Sequence, residues 1–169
     1  MTIRVGILIV SDRSARHERP DAAGPAIAER VRALGWQTVR QEIVPDELEQ
    51  IQEALSAWCD GDDLDLIFTS GGTGFSPRDN TPEATLAVIE RQAPGLVEAM
   101  RAASLQSTPF AMLSRAVAGI RRRTLVVNLP GSPRGALECL QVIAAALPHA
   151  VALLREDPDA EAGHSHLPA

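Results

Sequence analysis

Residues 3–10, IRVGILIV, decide the fold class of this chain. Only Arg4 interrupts a run of apolar and largely β-branched side chains, which is typical of a strand buried on both faces of a sheet. The run is too short, and too soon followed by charge, to be a signal segment or a membrane span. It therefore predicts a central strand of a soluble α/β protein.

Strand and helix patterns alternate along the rest of the chain. Further buried or alternating strands are predicted at 37–44, 65–69 and 124–129. Apolar side chains at helical spacing predict helices that begin near residues 25, 45, 83 and 132, the third interrupted at Pro94 and the last reaching about Leu147. This alternation predicts a three-layer α/β/α domain with a mostly parallel sheet.

The predicted domain covers residues 1–154. Residues 155–169 are polar, acidic and rich in proline and alanine, so we expect a flexible tail, and a metal-binding role for its His164 and His166 is disfavoured. The acidic residues Asp62, Asp63 and Asp65 lie between a helix and a strand, away from the other polar clusters, and are interpreted as a solvated linker.

Composition excludes several kinds of chemistry. The 169 residues include no lysine, which excludes Schiff-base catalysis, a P-loop lysine and a Ser-x-x-Lys hydrolase. A net charge of −6 and 3% aromatic residues disfavour binding of nucleic acid. Cys59 and Cys139 are too few for a disulfide framework, and each is predicted to be a buried apolar side chain on a helix. We expect a cytoplasmic protein that binds neither nucleic acid nor a membrane.

Polar clusters follow all four predicted parallel strands. Ser11 and Asp12 follow the first strand, Asp46 the second, residues 69–85 the third and residues 128–133 the fourth. In an open parallel sheet, ligands bind outside the carboxyl ends of the strands. Because all four clusters fall at that edge, the pattern predicts one functional site there.

The richest cluster is residues 69–85, TSGGTGFSPRDNTPEAT. The glycines at 71, 72 and 74 favour positive φ and bring backbone N–H groups close to a ligand, an arrangement that suits phosphate oxygens. A helix N-terminus downstream would add positive potential. The motif is neither a Walker A loop, because the lysine is missing, nor a dinucleotide fingerprint. Alone, it predicts a tight turn as readily as a phosphate loop.

Charged residues near this loop indicate metal-assisted phosphate chemistry. Arg78 suits a phosphate contact and Asp79 suits a Mg²⁺ ligand, since Mg²⁺ prefers one or two carboxylates with substrate phosphate oxygens. The alternative is that Asp79 caps a turn and pairs with Arg78 in solvent. Asp46 is followed by Glu49 in the pattern of a capping box. From the residues alone, a helix cap is the favoured interpretation of Asp46, although a cap at this edge would also face a ligand.

Three segments together resemble a known family. Residues 69–85, STPFAMLSRAVAGI at 107–120 and NLPGSP at 128–133 resemble the molybdopterin adenylyltransferases of molybdenum-cofactor biosynthesis and the related G domain of gephyrin-type proteins. The resemblance covers about residues 3–150. It implies a molybdopterin-binding type of α/β domain, commonly a homotrimer, with other proteins of cofactor biosynthesis as partners.

The resemblance also implies a reaction. The terminal phosphate of molybdopterin would attack the α-phosphate of ATP, with Mg²⁺ as cofactor and pyrophosphate as leaving group. Asp46 and Asp79 resemble the two essential acidic residues, which act on Mg²⁺ and the nucleotide phosphates. The other implied binding residues are Ser11 and Asp12 beside the nucleotide, Gly71, Gly72, Thr73, Gly74 and Arg78 at the phosphates, Ser104 and Ser114 on the pterin side, and Asn128, Pro130, Gly131 and Ser132 as another wall.

The chain departs from the family pattern in the loop 13–23. Relatives often carry a glycine where this chain has His17, and a serine where it has Ala23. Two other functions stay open: a non-catalytic molybdopterin-binding or assembly protein of the same fold, and a Mg²⁺-dependent hydrolase of nucleotide pyrophosphates. Retention of both Asp46 and Asp79 favours the transferase, and the product distinguishes them, adenylylated pterin and pyrophosphate against free AMP.

Overall fold

The computed structural model describes residues 2–158 and 160. Within that range, six strands form one sheet in the order β2-β1-β3-β6-β5-β4. Neighbours among β1, β2, β3 and β6 run parallel, and β4 and β5 run antiparallel to their neighbours. The strands are β1 Arg4–Val10, β2 Gln37–Val44, β3 Leu66–Ser70, β4 Arg91–Gln92, β5 Ala118–Arg121 and β6 Thr124–Leu129. The predicted mostly parallel α/β architecture is confirmed.

Helices cover both faces of the sheet. They are α1 Asp12–Ala15, α2 Ala23–Ala33, α3 Leu48–Asp60, α4 Thr81–Val88, α5 Pro94–Leu105, α6 Pro133–Ile143 and α7 Leu147–Leu154, with a 3₁₀ turn at Pro109–Leu113. Side chains alternate between the faces along each strand. Ile7 and Phe68 pack with α2, α5, α6 and α7 in one core cluster, and Leu8 and Ile67 pack with α3 and α4 in the other.

The last predicted helix is corrected. It ends at Ile143, and a separate helix begins at Leu147 with Pro148 in its first turn. Proline is compatible with a helix start but not with a helix interior, so the chain bends by 67° between α6 and α7. In the described part of the chain, no single helix is long and apolar enough to span a membrane, although the bent pair α6 and α7 passes that test together.

The amino end of the sheet is held by a buried carboxylate. Asp65 is 2% exposed and accepts bonds from the Arg4 and Arg155 guanidinium groups. The solvated-linker interpretation is therefore wrong for Asp65, because a charge on the first residue before β3 is buried beside two cations. Arg155 likewise lies against the domain rather than in a tail. The remaining predicted tail residues 159 and 161–169, with His164 and His166, lie outside the described residues.

The strand register places the polar clusters side by side. Val10 at the end of β1 is level with Val44 at the end of β2, and Ile9 is level with Ser70 at the end of β3. Ser70 in turn is level with Leu129 at the end of β6. Four carboxyl ends therefore meet at one edge. The two cysteines are buried on α3 and α6, as predicted.

Candidate functional site

Three aspartates from three neighbouring strand ends form a carboxylate cluster: Asp12, Asp46 and Asp79. The backbone N–H of Asp12 donates to Asp46 Oδ2 at 2.8 Å, and the backbone N–H of Asp46 donates to Asp12 Oδ1 at 3.1 Å. This reciprocal pair is possible because β1 and β2 end at the same level. Asp79 follows β3, and its charge acts on the Asp46 carboxyl.

Asp46 is not the helix cap that its sequence pattern favours. The first helical residue of α3 is Leu48, and its N-cap is Glu47, whose side chain makes no capping bond. The Asp46 carboxylate instead accepts the Asp12 amide on the neighbouring strand. A tertiary hydrogen bond has replaced the local one, which leaves Asp46 at the ligand edge of the sheet.

The electrostatic environment of Asp46 disfavours its ionised form. Burial is the largest cause that raises the pKa of the Asp46 carboxyl, and the negative charges of Asp12 and Asp79 raise it further. The Asp12 amide bond and the positive charge of Arg78 offset part of this effect. A half-buried carboxylate beside two others is unfavourable unless a positive charge is added, and perturbed carboxyls of this kind are concentrated at functional sites.

Arg78 compensates the other end of the cluster. Its Nε and Nη2 atoms donate to Asp12 Oδ2 and Oδ1 at 2.6 and 3.0 Å, and Nη2 also donates to Glu47 at 2.7 Å. These bonds are the main cause that lowers the pKa of Asp12. The exposed Arg78 therefore pairs with Asp12 and Glu47 here, not with Asp79 as the alternative interpretation required.

Residues 71–74 form a glycine loop beside the cluster. Gly71 and Gly72 have φ of +108° and +63°, as predicted, and Gly74 does not have a positive φ. A side chain at Gly72 would meet Asp46 Oδ1 at 3.2 Å, and one at Gly74 would meet Asp79 Oδ2 at 2.9 Å. Backbone N–H groups at 72, 73 and 74 donate to no atom of the described residues. The loop thus offers free amide donors next to two carboxylates.

Arg115 fixes the shape of this loop, a role that sequence reasoning missed. Its backbone N–H donates to the Thr73 carbonyl at 2.9 Å. Its guanidinium donates to the carbonyls of Gly74 and Asp79 at 2.7 and 2.6 Å and pairs with Glu83. The Asp79 carboxylate also accepts the Ser76 amide at 3.0 Å, so the predicted turn cap at Asp79 is present. The only sequence signal for Arg115 was a lone charge within the quoted segment 107–120.

A cavity of about 300 Å³ opens on one side of the loop, and we call it the apolar cavity. It lies between α5, α6 and the 3₁₀ turn, with Val97, Met100 and Leu113 among its walls. Predicted site residues that line it are Thr73, Gly74, Ser104, Ser114, Asn128, Pro130 and Ser132. It therefore brings together the two serines that the resemblance places on the pterin side and part of the turn that the resemblance gives as another wall.

A second cavity of about 310 Å³ opens on the other side, and we call it the polar cavity. Ser11, Gly71, Gly131 and Ser132 line it, together with residues of the 13–23 loop. Ser132 borders both cavities and caps α6 by accepting the Gly135 amide at 3.1 Å. Neither cavity is lined by Asp46 or Asp79. The carboxylate cluster therefore lies at the glycine loop but outside both hollows.

The Asn128 side chain is occupied by the protein itself. Its Nδ2 donates to the hydroxyls of Thr69 and Thr85 at 2.9 and 2.8 Å, and its Oδ1 accepts the Val117 amide at 3.0 Å. Asn128 is fully buried. Such a saturated amide holds β6, β3 and α4 in place. Its contribution to the site is therefore to the shape of the cavity wall.

The carboxylate cluster can be tested as a holder of Mg²⁺. Among residues 2–158 and 160, no group of three or more His, Cys, Asp or Glu side chains is arranged to hold a metal ion. With Asp12 paired to Arg78, two carboxylates remain, Asp46 and Asp79. Mg²⁺ is commonly bound by one or two carboxylates together with substrate phosphates and water. The repulsion that raises the pKa of Asp46 is what a divalent cation would relieve, so these two residues fit the ion.

Sequence comparisons point in the same direction. Residues 6–149 match the family model described as "Probable molybdopterin binding domain". The chain is 43% identical over 155 residues to the molybdopterin adenylyltransferase of Helicobacter pylori J99, an alignment that covers 90% of this chain and 88% of that protein. It is 38% identical over 148 residues to the Escherichia coli K12 protein of the same name, covering 83% and 73%.

Some relatives are longer, and this chain aligns with only part of their length. It is 42% identical over 157 residues to the molybdenum cofactor synthesis protein cinnamon of Drosophila melanogaster, covering 92% of this chain but 26% of that protein. Among solved structures, the molybdopterin biosynthesis enzyme MoaB of Thermus thermophilus is 50% identical, with a TM-score of 0.87 over 93% of this chain and 99% of that one. The Mog protein of Mycobacterium ulcerans is 40% identical, with a TM-score of 0.86 and coverage of 93% and 99%.

Proposed function

Because this chain belongs to the molybdopterin-binding domain family, we propose that it is a molybdopterin adenylyltransferase. It transfers AMP from ATP to the terminal phosphate of molybdopterin and releases pyrophosphate. The observation that supports this function best is the placement of Asp46 and Asp79 at the glycine loop, where a half-buried carboxylate has a raised pKa. Relatives that bear this name align over most of the chain.

The chemistry needs positioning and charge neutralisation more than covalent participation by the protein. Phosphoryl-type transfer proceeds through reacting groups that are held in line while their negative charge is stabilised. The free amides at residues 72–74 bind phosphate oxygens, and Arg115 keeps those amides in place. Bound Mg²⁺ would supply the remaining positive charge. Asp46 and Asp79 would hold it, and no lysine is required.

The substrates would approach the loop from its two sides. The apolar cavity, with Ser104 and Ser114, suits a flat heterocycle, and the polar cavity, with Ser11 and Gly131, suits the polar part of a nucleotide. The polypeptide is proposed to act in the cytoplasm as a homotrimer, next to other proteins of cofactor biosynthesis. The trimer and the partner proteins rest on the family resemblance alone, and the cytoplasmic location rests on the sequence pattern.

The test is incubation of the purified protein with molybdopterin, ATP and Mg²⁺, followed by mass analysis of both products. Adenylylated pterin and pyrophosphate, formed in equal amounts, are the expected result. Free AMP without adenylylated pterin would show that the protein hydrolyses the nucleotide instead. Tight pterin binding without turnover would identify a binding or assembly protein. Omission of Mg²⁺ should abolish the transfer, and its restoration should recover it.

A further inference from the structure

The apolar cavity contains a positively charged side chain to which no function has yet been assigned. Of the residues that line this cavity, Arg101 alone is basic. It lies on α5 and is partly buried. Its Nη2 atom donates to the Ser114 carbonyl at 3.1 Å. Among the described residues, no carboxylate lies within 4.0 Å of its guanidinium.

Two arginines near the glycine loop are already neutralised. Arg78 pairs with Asp12 and Glu47, and Arg115 pairs with Glu83. The acid that shares the cavity with Arg101 is Glu138, and its carboxylate is bonded to Arg134 at 2.7 Å. A partly buried charge without a counter-charge is unfavourable in the free protein. It becomes favourable when a ligand supplies the anion.

The surroundings of Arg101 define the class of that ligand. Val97 and Met100, on the same helix, give the cavity apolar walls, and Ser104 lies one turn further along α5. Residues three apart on a helix share a face. A cation and a hydroxyl on one face, beside apolar walls, suit a flat ring that carries one anionic group. Two guanidinium N–H groups in a fixed fork match phosphate oxygens.

We propose that Arg101 binds the phosphate monoester of the pterin substrate and so makes the apolar cavity selective for the phosphorylated pterin. This role rests on the proposed adenylyltransferase function. Thr73 and Gly74 of the glycine loop form another wall of the same cavity. A phosphate bound by Arg101 is therefore held in the cavity that borders the loop.

The test compares the affinity of the protein for molybdopterin and for the same pterin without its phosphate. Wild-type protein is expected to bind the phosphorylated form about 10- to 100-fold more tightly, the range for hydrogen bonds to a charged group. In Arg101→Gln this preference should collapse to about threefold or less. Arg101→Lys should lie between them, because it keeps the charge without the fork. Arg91→Gln removes an exposed arginine that does not line the cavity, and it should leave the preference unchanged.

A purely structural role for Arg101 gives a different result. The bond to the Ser114 carbonyl ties α5 to the segment after the 3₁₀ turn, and its loss would weaken both pterins equally. An unchanged preference in Arg101→Gln therefore overturns the proposal. If Arg101→Gln does not fold, the preference of Arg101→Lys for the phosphorylated pterin decides between the two roles.

The two proposals can fail separately. Transfer of AMP by wild-type protein, together with an unchanged preference in the Arg101 variants, overturns the role of Arg101 and leaves the adenylyltransferase function standing. If wild-type protein binds neither pterin, both proposals are wrong.

Discussion

Asp46 and Asp65 are two carboxylates at opposite edges of one sheet, and their environments have opposite effects. Burial raises the pKa of both groups. At Asp65, bonds from Arg4 and Arg155 more than offset burial, so that the pKa lies below its ordinary value. At Asp46, burial and the charges of Asp12 and Asp79 outweigh the Asp12 amide bond and the Arg78 charge, and the pKa stays above its ordinary value.

The difference separates a carboxylate that stabilises the fold from one that we propose serves a ligand. The Asp65 interactions are complete within the protein, since two guanidinium groups and the Arg4 amide bond its oxygens. Asp46 has one amide donor and two negative neighbours, and the positive charge of Arg78 does not offset burial and these neighbours. An uncompensated carboxylate of this kind lowers the free energy of unfolding, and the proposed function gives a reason for its persistence.

The largest expected effect is on turnover, at the ligand edge. Asp46→Asn should lower the adenylyl transfer rate about 100- to 1,000-fold, because the loss of a metal carboxylate removes several kcal/mol of charge stabilisation. Asparagine can still accept the Asp12 amide, so the melting temperature should not fall. Asp79→Asn should likewise lower the transfer rate without lowering the melting temperature. Rate assays and thermal unfolding of the same preparations measure both quantities.

The exposed Glu49, on the first turn of α3, provides the control for that experiment. Glu49→Gln changes the same charge nearby and should leave the rate unchanged. Wild-type turnover by either aspartate variant would show that the catalytic assignment is wrong. A loss of rate accompanied by a loss of melting temperature in Asp46→Asn would return Asp46 to a structural role.

The next largest effect is on stability, at the opposite edge. Asp65→Asn should reduce the free energy of unfolding by about 3 kcal/mol, because it leaves two arginines beside a buried site without their anion. Glu156→Gln removes a partner from the exposed Arg123 pair and should change stability by less than about 0.5 kcal/mol. Denaturant titration measures both. If Asp65→Asn changed the free energy of unfolding as little as Glu156→Gln does, the stabilising role of Asp65 would be contradicted.

The sequence was informative wherever the structure follows from local pattern. Apolar strands and their carboxyl-end loops could be located, and the rule for parallel sheets then predicted the edge where the candidate residues lie together. The short strands β4 and β5 were missed, since two and four residues are too few to show a period. The break between α6 and α7 was missed because the three alanines at 144–146 are good helix formers and continue the pattern.

Pairings between distant residues could not be predicted in this way. The Asp12–Asp46 pair joins residues 34 apart, and the Asp65–Arg155 pair joins residues 90 apart. Asp65 was misread because three aspartates near a glycine resemble an exposed linker. Likewise, the local spacing of Asp46 and Glu49 favoured a helix cap at Asp46. In both cases a contact across the sheet determined the environment of the charge, and one sequence contains no direct signal of that contact.

The contributions of Asp65 and Asp46 to the free energy of unfolding should depend on pH in opposite ways. The lowered pKa of Asp65 contributes stability that is fully present above its unfolded pKa of about 3.9 and is lost as the pH falls through the folded pKa. The raised pKa of Asp46 has the opposite sign, since its ionisation costs stability above the folded pKa and nothing below about pH 3.9. Relative to wild type, Asp65→Asn should therefore be less stable and Asp46→Asn more stable at pH 7.

The two differences should also disappear at different pH values. The Asp46→Asn difference should shrink toward zero as the pH falls to about 3.9, whereas the Asp65→Asn difference should persist until the pH falls below that value. Denaturant unfolding of the three proteins at several pH values tests this prediction. A stability difference for Asp46→Asn that has the same sign as that of Asp65→Asn at pH 7 would contradict the opposite signs of the two pKa shifts.

The smallest predicted effect concerns backbone strain at the same two edges. His17, in the loop that follows α1, and Asp62, near Asp65, have φ of 58° and 56°, in the left-handed region. His17→Gly should raise the free energy of unfolding by about 0.5–1 kcal/mol, since relief of strain exceeds the entropy that glycine adds to the unfolded chain. Asp62→Gly should raise the free energy of unfolding by a smaller amount, because aspartate tolerates this conformation better. An activity loss in His17→Gly alone would show that strain at the ligand edge serves the reaction, whereas strain at the other edge does not.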